Sequence, residues 1–99
     1  MSHVMVLGRV TADPEQKTSQ NNHPYIRFDL AENTSNQGRP VTQYYQVWAW
    51  GEDVARLMKA KVKKDSCIYV TGNLFLDAYL KKDGVTTDKR LRINLSDWG

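Results

Sequence analysis

Four aromatic rings fall within seven positions of the stretch TQYYQVWAWG (42–51): Tyr44, Tyr45, Trp48 and Trp50. Alternation of this kind reads as a β-strand, whose side chains point to opposite faces in turn. Tyr44, Gln46, Trp48 and Trp50 then share one face, and Tyr45, Val47 and Ala49 the other. One apolar face is enough to join a core. The bulkier, more aromatic face is surplus to folding, and flat π-faces on a surface suit stacking on flat partners.

Other segments repeat the arrangement. In YIRFDLAE (25–32), Ile26, Phe28 and Leu30 point inward while Tyr25, Arg27 and Asp29 point outward. Further on, Phe75 and Tyr79 oppose Leu74, Leu76, Ala78 and Leu80, and Arg90 and Arg92 oppose Leu91 and Ile93. A ring offers its face to any base and a neighbouring cation grips phosphate, which is how single strands are bound with tolerance of sequence. The same residue types also build subunit interfaces or a second core layer. Pattern alone leaves that alternative open. The basic run KAKVKK (59–64) reads more simply as the solvated end of a helix than as a further phosphate contact.

Signals for catalysis are lacking. His3 and His23 lie far apart, with no cysteine or carboxylate at metal-ligand spacing. No glycine-rich phosphate loop or nucleophile motif occurs. Asp13, Glu15, Glu52 and Asp53 fall in expected turns or at a helix start, where capping accounts for them. The expectation is a protein that is not an enzyme, without metal or cofactor.

The elements that must position these residues follow from periodicity and turn signals. SHVMVLGRV (2–10) reads as a first strand, with apolar residues on both sides: Val4, Val6 and Val10 against Met5 and Leu7. TADPEQKTSQNNHP (11–24) and NTSNQGRP (33–40) read as loops, flanking the strand at 25–32. After the aromatic strand, GEDVARLMKAKVKKD (51–65) has Val54, Leu57, Met58 and Val62 at helical spacing, acids early and lysines late. SCIYVTGNLFLDAYLK (66–81) is long for one strand, and Gly72 marks a bulge or bend within it. KKDG (81–84) supplies a hairpin turn into a last strand at 85–98.

The order is five strands with one short helix between the third and fourth. That is the order of an all-β, five-stranded OB-fold Greek-key barrel. An SH3-like barrel or a small sandwich would not expect a helix there. Ninety-nine residues make one domain, and the net charge of +3 permits a polyanionic partner without demanding one. The single cysteine, Cys67, excludes an internal disulfide. No membrane-length apolar run or signal-peptide layout is present, so a cytoplasmic protein without membrane contact is expected.

VMVLGRVTADPE (4–15), YIRFDLAENT (25–34), QYYQVWAWGEDVARLMKAKVKKDSCIYVTGNL (43–74) and YLKKDG (79–84) resemble, in order and spacing, the bacterial single-stranded DNA-binding protein family. The resemblance implies an OB-fold, usually assembled as a homotetramer. It implies coating of single-stranded DNA during replication, recombination and repair, with no catalysis or cofactor. Tyr44, Trp50 and Tyr79 match family positions whose aromatics stack on bases. A further family aromatic, in the loop before the third strand, has no counterpart among residues 33–39. Asp77 stands where relatives commonly carry a basic residue, and Trp48 where an aliphatic one is usual.

Relatives typically continue into a Gly/Gln/Pro-rich linker with an acidic tip that recruits other proteins. This sequence stops at LSDWG. The expectation is one domain over 1–99 without that tail, either cut or of the tail-less kind found in primosome, phage and mobile-element accessory proteins. The candidate interface is Tyr25, Arg27, Tyr44, Trp48, Trp50, Phe75, Tyr79, Arg90 and Arg92, with single-stranded DNA, further copies of the chain and replication proteins as partners. A protein-interaction module that uses the aromatic face is the rival class.

Overall fold

Period-two burial runs through every strand that builds the barrel. Val6 and Val10 of β1 (Ser2–Val10) point inward, as do Ile26, Phe28 and Leu30 of β3 (Pro24–Asn36). Tyr45, Val47 and Ala49 of β4 (Arg39–Trp50), Ile68 and Val70 of β5 (Cys67–Leu80) and Ile93 of β6 (Thr87–Trp98) join them in one core. Val54 and Leu57 of α1 (Glu52–Lys59) complete it. The structure, a computed structural model, describes residues 2–81, 83–85 and 87–99.

Hydrogen bonding orders the sheet β1-β5-β6-β4-β3-β2. A second pairing of β1, Arg9 with Ala31 and Val10 with Leu30 on β3, closes five of these strands into a barrel. All pairings are antiparallel except β4 with β6, which runs parallel from Tyr45–Leu91 to Trp48–Asn94. The expected OB-fold is therefore present, with its helix between the strands at 39–50 and 67–80.

Four local expectations are corrected. The segment 11–24 is not all loop, because β2 (Glu15–Thr18) pairs with β3 from Glu15–Arg27 to Thr18–Pro24. All four residues of β2 are exposed, so no apolar alternation announces it. Residues 33–40 are mostly strand: the β3–β4 ladder continues to Asn36–Arg39 and reverses through Gln37 (φ 51°) and Gly38 (φ 79°). Positive φ at both turn residues is the geometry that two-residue hairpins favour. The helix stops at Lys59 rather than 65, with Lys61 at φ 56°, so KAKVKK straddles its solvated end. Asp13 caps no helix; its Oδ1 accepts from the Lys64 backbone N–H at 2.7 Å.

The β5–β6 ribbon runs past the barrel. Leu74 still packs against the core, but Leu76 and Leu80 on the same row are exposed. Of the expected KKDG turn, Lys82 lies outside the described residues; Gly84 has φ 73° and donates its N–H to the Lys81 carbonyl. No helix among the described residues is long and apolar enough to cross a membrane.

The irregularity expected at Gly72 is present, but its extra residue, Ser96, lies on the partner strand β6 rather than within β5. The β5–β6 register shifts between Thr71 and Gly72. A Cβ at Gly72 would collide with the Asn94 carbonyl oxygen and lie 2.8 Å from Ile93 Cγ2. Both neighbours are held in the barrel wall. Gly72→Ala is expected to cost about 2 kcal/mol through this overpacking, which urea titration would register as a lower midpoint at unchanged slope.

Candidate nucleic-acid interface

The outward rows of five adjacent strands make one continuous surface. Register fixes the neighbours: Tyr25 lies opposite Trp50, Arg27 opposite Trp48, and Asp29 opposite Gln46. Across the parallel seam Gln46 meets Arg92 and Trp48 meets Asn94. On the far side Arg92 faces Phe75, Arg90 faces Asp77, and Asp88 faces Tyr79. All nine residues proposed from the sequence thus stand on this face.

The rings are ordered by one another. Tyr25 and Trp48 stack with centroids 5.2 Å apart and planes at 17°. Trp50 lies 5.0 Å from Tyr25 and 6.1 Å from Trp48. The Arg92 guanidinium sits 4.2 Å from the Trp48 ring centre, and that of Arg27 lies 5.7 Å from it. Arg90 lies 3.9 Å over Tyr79. Each such cation–π contact contributes roughly 0.5–1 kcal/mol at an exposed site.

These contacts separate two kinds of ring. Trp48 is half-buried, packed between Tyr25 and the arginines, and its Nε1–H donates to Gln46 Oε1 at 2.9 Å. It organises the surface around it. Tyr44, Trp50 and Phe75 are 63%, 41% and 44% exposed and present open ring area. The structure adds Gln46, Asn94 and Lys17 to the face. Asn94 Oδ1 accepts from Arg92 Nε at 3.1 Å, holding that side chain, and Lys17 of β2 lies opposite Tyr25. Alternation already placed Gln46 there, but an amide carries no stacking signal, and Lys17 was hidden with its unrecognised strand.

Behind Tyr44 the strand turns its next ring inward. The Tyr45 hydroxyl proton is shared between Gln43 Oε1 at 2.9 Å and Glu32 Oε1 at 3.0 Å. Burial, then the Glu32 hydrogen bond and charge, push this phenol above its ordinary value of 10.0. Among the described residues no three His, Cys, Asp or Glu side chains converge as metal donors.

A closed barrel of this strand order, with one helix between β4 and β5, defines the OB-fold class. The chain belongs to the Single-strand binding protein family, whose family model matches residues 1–97. It is 27% identical over 86 residues to a single-stranded DNA-binding protein of Malacoplasma penetrans, covering 87% of this chain and 44% of that protein. The chain spans about half the length of the curated relatives it matches. Its fold is that of a small single-stranded DNA-binding protein from Streptomyces coelicolor, with a TM-score of 0.82 at 18% identity, covering 99% of this chain and 92% of that one. A Plasmodium falciparum SSB in complex with ssDNA gives 0.77 at 19% identity, with the same coverage.

The raised Tyr45 pKa has a definite consequence for stability. Below the unfolded value both states keep the proton. As pH rises past about 10 the unfolded chain releases it first, so the folded state loses stability. Parent protein is expected to lose more stability than Tyr45→Phe between about pH 9 and pH 11, as read from paired urea titrations.

Proposed function

We propose that the chain binds single-stranded DNA with tolerance of sequence and protects it during replication, recombination or repair, the processes that expose such strands. The observation that carries this reading is the single outer face on which Tyr44, Trp50, Phe75 and Tyr79 alternate with Arg27, Arg90 and Arg92. Rings stack on bases whatever their identity, and the arginines follow the phosphates. Binding of this kind needs no cofactor and makes no covalent bond. Family membership and the relatives' names agree with it.

Intrinsic tryptophan fluorescence is expected to be quenched as oligothymidine binds, because Trp50 is an open platform. Single replacement of Tyr44, Trp50 or Tyr79 by Ala should weaken binding by about 1–3 kcal/mol for each base that loses its ring. Affinity should fall as salt rises, since neutralised phosphates release counterions, and duplex should bind more weakly than single strand. Unchanged affinity in the Trp50→Ala and Tyr79→Ala variants, with lowered melting temperatures, would assign the rings to packing instead.

A homotetramer is the proposed assembly. Two features support association. Among the described residues, β1 between Ser2 and Gly8 pairs on one side only, with β5, and its other backbone edge is open. Met5 and Leu7 on its outward row are 72% and 68% exposed, beside an exposed Tyr69. An open apolar edge is a template for strand pairing. Light scattering at micromolar concentration is expected to give the mass of four chains, and Leu7→Lys a smaller species. A stable monomer of the parent would refute the assembly.

A further inference from the structure

Beside the seam of β4 and β6 the outer face sinks into a cleft of about 260 Å³. That is below the roughly 300–1,000 Å³ of drug-sized pockets and suits one flat ring system. Tyr44 and Tyr79 line it, Leu91 and the core-facing Tyr45 contribute to its wall, and Asp29, Gln46 and Arg90 supply its polar groups.

The hydrogen-bonding character of this lining is fixed by its neighbours. Gln46 Oε1 already accepts from the Trp48 indole, which leaves its amide N–H groups as the part of the side chain still to be paired. Arg90 is a pure donor, and its Nε is buried with no hydrogen-bond partner among the described residues. Asp29 is a pure acceptor, with no ion pair or side-chain hydrogen bond among the described residues. An unpartnered carboxylate is a poor choice for gripping phosphate. Asp29 is solvent-exposed, so its carboxylate is free to accept from a ligand, and Arg90 on the same lining supplies donors.

We propose that this cleft takes a single base and prefers guanine, on the reading that the face binds single-stranded DNA. Guanine alone carries two adjacent donors, N1–H and the 2-amino group, which match the two oxygens of one carboxylate. Its O6 and N7 accept from a guanidinium or an amide N–H. Thymine offers one N–H flanked by two carbonyls, which a carboxylate repels. Cytosine and adenine offer one amino group beside an acceptor nitrogen. Stacking along the rest of the face stays indifferent to sequence, and Asp29 adds a bias at one nucleotide position.

The test compares three strands: a long oligothymidine, the same strand with one central guanine, and the same strand with inosine there. Inosine keeps the ring and O6 but lacks the 2-amino group. Fluorescence titration of the parent should give about fivefold or more tighter binding for the guanine strand, and inosine within twofold of the all-thymine strand. Asp29→Asn should bring all three affinities together. Equal binding of the three strands by the parent would overturn the preference and leave single-strand binding standing. A uniform gain for all three in Asp29→Asn, with the guanine ratio intact, would also overturn it, because the carboxylate would then only repel phosphate. Failure of the parent to bind any strand would overturn both this inference and the function on which it rests. The comparison of strands on the parent needs no variant, so it stands even if Asp29→Asn lowers the melting temperature.

Discussion

Closure of the barrel depends on a seam two residues long, where Arg9 and Val10 of β1 meet Ala31 and Leu30 of β3. The seam is tight. A Cβ on Gly8 would stand 2.5 Å from the Ala31 carbonyl oxygen, so only glycine lets β1 cross β3 this closely. Neighbouring bonds hold the crossing in place: Val10 donates to the Ser66 carbonyl and accepts from the Asp65 N–H. With the seam closed, each of the five barrel strands has one face sealed inside, and the other must meet solvent or a partner. The division of labour across the strands follows from that constraint.

An aromatic outer face carries a cost in water, and here the protein reduces it internally. Trp48, Tyr25 and Trp50 cover part of each other's area, and Arg27 and Arg92 cover Trp48. Rings held this way lose little further freedom when a strand arrives, which favours affinity through preorganisation. The same contacts set a condition. A base that stacks on the face of Tyr79 now beneath Arg90 must displace a cation 3.9 Å from the ring centre. On the proposed function, displaced cations would become available to phosphate, and stacking and charge neutralisation would be coupled steps on this surface.

Alternation made the central barrel legible. Ile26, Phe28 and Leu30, then Val47 and Ala49, announce their buried face without ambiguity, and a glycine inside a fourteen-residue strand announces the register shift. Where strands leave the core, the signal disappears. Residues 33–36 and 39–44 extend the β3–β4 ribbon into solvent, so both faces carry polar or exposed side chains and the sequence looks like a loop. β2 is invisible for the same reason. The outward residues of the site were legible because period two also fixes what is not buried. Their partnerships were not. That Arg90 lies over Tyr79 and Arg92 over Trp48 depends on which strand lies beside which, and the parallel pairing of β4 with β6 joins residues more than forty positions apart.

The strand order also bears on how the chain folds. β6, last of the six in sequence, lies in the interior of the sheet, between β5 and β4. Without it the sheet falls into two pieces, β1 with β5 and the β3–β4 ribbon with β2, joined only at Arg9 and Val10. Each piece then shows an unpaired edge, long on β5 and only four residues, Tyr45 to Trp48, on β4. Open edges of this kind pair with those of other chains while β6 is undocked. Insertion of β6 therefore completes the barrel, assembles the arginine side of the binding face and withdraws two aggregation-prone edges in one event. Mutations that slow its docking would reduce the yield of soluble protein before they altered any property of the finished fold.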